Sequence, residues 1–196
     1  MNTEEEFLKN FELAVLEYFE TGDTHEVAVE LDEHLKTGSF RPLVVRKAIE
    51  MAFEHKNSHR EMTSVLISDL LGRCLIASDI QKAFDMLLSN LPDSILDTPE
   101  APHVLGNFIA RAVADDCLPP KFVQQLSQNG QSSKNGSAAN GSNGKASEGA
   151  SGSSKSLNKY ALQALEYADG HLSLKSGNII PYLLTFQYFY NVCVFF

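Results

Sequence analysis

Tryptophan is absent from this chain of 196 residues, and cysteine nearly so. The three cysteines, Cys74, Cys117 and Cys193, stand far apart and form no CxxC pair. A disulfide framework and a structural zinc site both lack their raw material. A reducing, intracellular compartment is the simplest reading. Basic charge is short as well. Lys and Arg number 16 against 25 Asp and Glu, a formal charge of −9. Proteins that track nucleic-acid phosphates need the opposite balance, so no direct nucleic-acid binding is expected. The acidic start, Met1 to Asn10, has no apolar run, and no signal peptide is read there. Signatures of a P-loop, a nucleophile elbow or a dinucleotide fold are also missing. His55 and His59 are four apart, but a helix boundary falls between them and no third ligand stands at a metal spacing. Neither a metal nor a cofactor is expected, and an enzyme lacks a site.

What is present is apolar side chain, 43% of the sequence, enough to build a core. It is spread over segments of unlike composition. Residues 1–126 hold 11 Lys and Arg against 22 Asp and Glu, a charge of −11. A surface of that sign suits a basic protein partner. In residues 127–156, 10 Ser, 6 Gly and 4 Asn take 20 of the 30 positions, with alanine the only apolar side chain. Such a stretch cannot bury enough surface to offset chain ordering and reads as a flexible linker. Residues 157–176 regain helical spacing through Leu157, Ala161, Leu165 and Ala168, so a helix is expected from about Ser156 to Lys175. Residues 177–196 carry no charge, and seven of the chain's 18 aromatic residues lie there. The length is near that of a membrane span. Asn178, Pro181, Gln187 and Asn191 speak against an anchor, as does the lack of a basic flank beyond Lys175. No membrane partner is expected. The abrupt change reads better as a non-native end, such as a translated intron. A transcript that reads through to Phe196 would end that idea.

Residues 1–126 read as six or seven helices. Phe7, Phe11, Ala14, Val15, Tyr18 and Phe19 recur at helical steps from about Thr3 to Glu20, with Thr3 and Glu6 as a capping box. Gly22-Asp23-Thr24 breaks that helix, Thr24 caps the next, and Gly38 ends it. Pro42 fits the first turn of a third helix. Ser58 with Glu61, and Ser78 with Gln81, suggest two further capping boxes. Leu91-Pro92 is expected to close the fifth helix. Pro99 and Pro102 admit a sixth from about Glu100 to Asp115, and Pro119-Pro120 opens a last one ending near Leu126. No run alternates as a strand does. Short connections imply antiparallel pairs, hence an all-α, HEAT-like stack of helix hairpins.

Several segments carry a resemblance. They are Glu17-Tyr-Phe-Glu-Thr-Gly-Asp-Thr-His-Glu-Val-Ala28, Ser58-His-Arg-Glu-Met-Thr-Ser64, Ser68-Asp-Leu70, Leu96-Asp-Thr-Pro99 and Phe108-Ile-Ala-Arg-Ala-Val113. Together these resemble the MA3 domain over about residues 5–126, and within it the first domain of a tandem-MA3 member. Helix 157–175 is similar to the segment joining the two domains there. The resemblance implies a translation repressor that binds the DEAD-box helicase initiation factor 4A. It would keep that helicase from RNA and from its scaffold factor, in the cytoplasm and also the nucleus. A related scaffold protein's MA3 domain binds the same helicase without blocking it, which is the alternative. By position, the resemblance puts Asp93 and Asp97 on a contact loop between helices five and six, and Glu17 and Glu54 on further contact positions. Asp93 departs from the family by one methylene, since Glu is found there. Each residue also has an ordinary reading. Asp97 or Thr98 can cap the helix after Pro99. Asp93 can serve a turn. Glu17 and Glu54 can be plain solvated carboxylates.

Overall fold

A computed structural model describes residues 4–34, 40–132 and 157–177. Eight helices follow in order among them: α1 (Glu4–Thr21), α2 (Thr24–His34), α3 (Arg41–Phe53), α4 (Asn57–Leu70), α5 (Ala77–Asp97), α6 (Ala101–Ala114), α7 (Lys121–Ser132) and α8 (Lys159–Gly177). No strand occurs among the described residues. The Thr3–Glu6 box, the Gly38 stop, Cys193, the bulk of the Ser/Gly/Asn stretch and the apolar tail lie outside them.

The apolar periodicity of each helix becomes its buried face. Phe7, Phe11, Val15, Tyr18 and Phe19 make one stripe of α1, all at 7% exposure or less. The helices then stack as hairpins, α1 on α2, α3 on α4 and α5 on α6. Within the stack α1 meets α3 and α3 meets α5, while α2 meets α4 and α4 meets α6. This is the two-layered HEAT-like arrangement expected of alternating hairpins. Polar groups tie the layers where packing alone leaves freedom. The Tyr18 hydroxyl donates to the Met62 carbonyl at 2.9 Å. Arg111 of α6 pairs with Glu61 of α4 and with Asp115, both at 2.7 Å. Burial works against the Arg111 charge, but these two carboxylates outweigh it and hold its pKa above the usual value. Cys74 and Cys117 are free and buried. Burial, and then a hydrogen bond to Asp32, push the Cys74 thiol up to about 11.

The helix starts differ from those read in the sequence. Asp23, not Thr24, caps α2, its Oδ1 accepting from the His25 N–H at 2.8 Å. Ser58 and Glu61 form no box, because α4 begins at Asn57 with Lys56 as an N-cap that makes no side-chain bond. Ser78 and Gln81 form none either. Helix α5 begins at Ala77, and Asp79 reaches back to the Ile76 N–H at 3.2 Å. Arg60 serves the preceding helix instead, donating to the Ala52 and Phe53 carbonyls at 3.1 and 2.9 Å. Helix α7 runs on to Ser132, past its expected end near Leu126.

The larger departure is at Pro92. Helix α5 does not close there but continues to Asp97. Proline lacks the N–H that should reach back four residues to the Leu88 carbonyl. Asn158, at the start of α8, supplies the missing donor: its Nδ2 meets the Leu88 oxygen at 2.8 Å. Its Oδ1 accepts from the Ala161 N–H at 2.8 Å and so caps α8. One side chain starts α8 and repairs α5.

Helix α8 packs on α5, α6 and α7 and buries Ala161, Ala164, Leu165 and Ala168. The approach to α6 is close. A Cβ on Gly106 would stand 2.6 Å from the Ala164 carbonyl oxygen and 2.7 Å from the Tyr167 Cβ. Glycine is required there for lack of space.

Candidate functional site

The hairpin alternation runs α1, α3 and α5 in one direction, so their C-terminal ends share one edge of the stack. Ring contacts confirm the first two: Phe19 near the end of α1 lies 5.3 Å from His55, just past α3. Each of the four carboxylates singled out in the sequence stands at such an end. Glu17 is one turn before the last residue of α1. Glu54 is the C-cap of α3. Asp97 is the last residue of α5, and Asp93 is one turn before it. All four are exposed. Among the described residues, none of the four side chains makes a hydrogen bond or ion pair.

The contact loop expected between helices five and six is therefore a helical turn. Asp93 and Asp97, four apart, face the same way. The cap reading of Asp97 fails, because α6 begins at Ala101 with Glu100 as its N-cap. The turn reading of Asp93 fails with it, since Asp93 lies inside α5.

Position makes these acids costly. A helix C-terminus carries partial negative charge and favours Lys or Arg in its last turn. The last turns of α1 and α3 hold no basic residue, and neither does that of α5. Carboxylates there add to the negative ends of α1 and α5, while the Arg60 guanidinium already offsets that of α3. The edge is built against local helix stability, and it presents a pooled negative potential with free acceptor oxygens. Carboxylates of this kind accept charge-assisted, and from Arg bidentate, hydrogen bonds.

Near the ends of α1 and α3 lies an aromatic corner that the sequence did not suggest. Phe19 stacks on His59 with centroids 4.5 Å apart and planes 6° from parallel. The His55 ring is 5.3 Å from His59. The His55 Nδ1 is 2.7 Å from the Met51 carbonyl. Among the described residues no group of three or more His, Cys, Asp or Glu is arranged to hold a metal ion. No described helix is long and apolar enough to cross a membrane. A cavity among the described residues, lined by Phe84, Phe108 and Arg111 among others, has room for about one water.

Two more residues bear on this edge, and neither was assigned a role from the sequence. Leu96, between Asp93 and Asp97, is 80% exposed. Asn158 supports the turns that carry all three. An unpaired Pro92 inside a long amphipathic helix was the available signal for a remote donor, though not for its identity.

The profile of the MA3 domain matches residues 7–119. Programmed cell death protein 4 of Gallus gallus is 47% identical over 120 residues, 61% of this chain and 26% of that protein. The protein of the same name from Homo sapiens is 49% identical over 120 residues, 61% of this chain and 25% of that protein. An MA3 domain-containing translation regulatory factor 3 of Arabidopsis thaliana is 36% identical over 112 residues, 57% of this chain and 16% of that protein. The matched stretch thus spans about a quarter or less of these relatives.

Proposed function

Since this chain belongs to the MA3 domain family, we propose that it regulates translation as a repressor-type binding module rather than an enzyme. Its target is the DEAD-box helicase initiation factor 4A, which it keeps from RNA and from the scaffold factor. Similarity to proteins named as translation regulatory factors supports the level of action. The helicase itself is the partner that the motif resemblance implies. Cytoplasm, with the nucleus as a second compartment, goes with that reading.

One observation carries the proposal. Four exposed carboxylates, Glu17, Glu54, Asp93 and Asp97, stand at three helix C-termini, and at those of α1 and α5 helix stability disfavours them. A cationic protein surface gives such a placement a purpose, and an RNA-binding helicase face is cationic. The attraction acts at range and is screened over about 8–10 Å at physiological salt.

The test is calorimetric titration of the whole chain with the helicase, beside an Asp93→Ala/Asp97→Ala variant, followed by an RNA-unwinding assay. Wild type should bind and lower unwinding. The double variant should bind at least about tenfold more weakly while keeping its helical signal, as loss of paired interface charges does. Binding with unwinding unchanged or raised would favour a scaffold that recruits the helicase without inhibiting it. Absence of binding by the wild-type chain would overturn both.

A further inference from the structure

The last turns of α5 are an extension that packing does not explain. After Leu91, which is fully buried, Pro92, Asp93, Leu96 and Asp97 are exposed and Ser94 and Ile95 only half-buried. Proline opposes a helix at this point. The extension is held by hydrogen bonds instead: Asn158 to the Leu88 carbonyl at 2.8 Å, the Ser94 hydroxyl to the Asn90 carbonyl at 3.3 Å, and the Thr98 N–H to the Ser94 carbonyl at 2.9 Å. What the extension gains is presentation. At 3.6 residues per turn, Asp93, Leu96 and Asp97 fall within an arc of roughly 100°. That arc faces away from the stripe of Ile80, Phe84, Leu87, Leu88 and Leu91 that enters the core. Leu96, at 80%, is the most exposed large apolar side chain among the described residues, ahead of Leu13 at 59%.

We infer that Leu96 is the apolar anchor of the carboxylate edge, a knob that enters a small apolar pocket between two basic side chains of the partner. The inference rests on the proposed helicase contact and deepens it. Charge alone sets encounter and orientation, and neighbouring carboxylates would serve almost any cationic surface. A side chain that must be desolvated in a fitted pocket adds selectivity and slows release. The flanking acids fit the same design. They would pair with cations at the pocket rim, while the leucine sits where water is excluded. Leu13 and Leu16 stand exposed beside Glu17 on α1 in a similar, weaker pattern.

The experiment measures helicase binding by the whole chain at about 50 mM and about 200 mM salt, where screening differs strongly. Leu96→Ala, Leu96→Met and Asp93→Asn/Asp97→Asn are compared with wild type. Leu96 buries little within the chain, so these variants should keep their fold, which circular dichroism checks. Leu96→Ala is expected to weaken binding about tenfold or more at both salts, with the wild-type salt slope, as an anchor does. Leu96→Met should stay within about threefold, since it conserves apolar volume. The acidic variant should flatten the slope instead. Leu96→Ala binding like wild type, while the acidic variant is weakened, would overturn this inference and leave the helicase contact standing. No binding by wild type would overturn both. Sedimentation showing that Leu96→Ala abolishes self-association and leaves helicase binding untouched would move Leu96 to a contact between copies, and overturn it as well.

Discussion

His59 sits beneath Phe19 with its Nδ1 buried and unpartnered among the described residues. Burial first, then the charges of Lys56 and His55, lower its pKa below the ordinary 6.5, and Glu20 opposes them. The folded chain therefore takes up this proton less readily than the unfolded one. The stability contributed by neutral His59 is full above the unfolded value. It is lost as pH falls through about 6.5 toward the lower folded pKa, and is constant below that. The urea midpoint should fall between about pH 7.5 and about pH 5.5, and His59→Gln should flatten that fall. An equal fall in the variant would assign the slope to other groups. His59 was visible in the sequence only as one of a pair spaced four apart. Its stacking partner lies on α1, and nothing near it in sequence points there.

Helices α1 to α6 were legible element by element, because each carries an apolar stripe at helical period and most are bounded by Gly or Pro. Their caps were not. Ser58 and Ser78 have the right chemistry for an N-cap, yet the chain turns into the helix at Lys56 and Ile76. Tertiary packing sets those boundaries, and Asp79 and Arg60 then satisfy the exposed backbone groups. Pro92 was misread for a related reason. Sequence rules treat proline as a stop, and its donor is Asn158, separated from Leu88 by 70 residues. Four carboxylates of the candidate edge were legible through their motifs, but their shared place at helix C-termini required the stack. Two substitutions test the α8 joint. Asn158→Ala removes a cap and strands the Leu88 carbonyl, and should cost about 1–3 kcal/mol. Gly106→Ala drives a methyl group against the α8 backbone and should cost about 1–3 kcal/mol by overpacking. Equilibrium urea unfolding reads both, and a loss under about 0.5 kcal/mol in either would mean that α8 adjusts freely.

At the scale of the molecule, α8 is part of the core, although its sequence reads as an appendage beyond a Ser/Gly/Asn-rich stretch. Leu165 and three alanines are buried against the stack. Burial of the leucine alone is worth about 1.5–3 kcal/mol. A chain cut after Ser132 should therefore melt lower than the whole protein, and a peptide of residues 157–177 added in trans should restore part of the loss. Equal melting would show that the first seven helices are self-sufficient. The same joint governs timing during synthesis. Helices form within microseconds, whereas chain emerges at about 5–20 residues per second. The turns bearing Asp93, Leu96 and Asp97 leave the ribosome several seconds before Asn158 does. Through that interval the proline break in α5 has no donor from α8, so the α5 part of the carboxylate edge matures last, after the helices that carry Glu17 and Glu54 have formed.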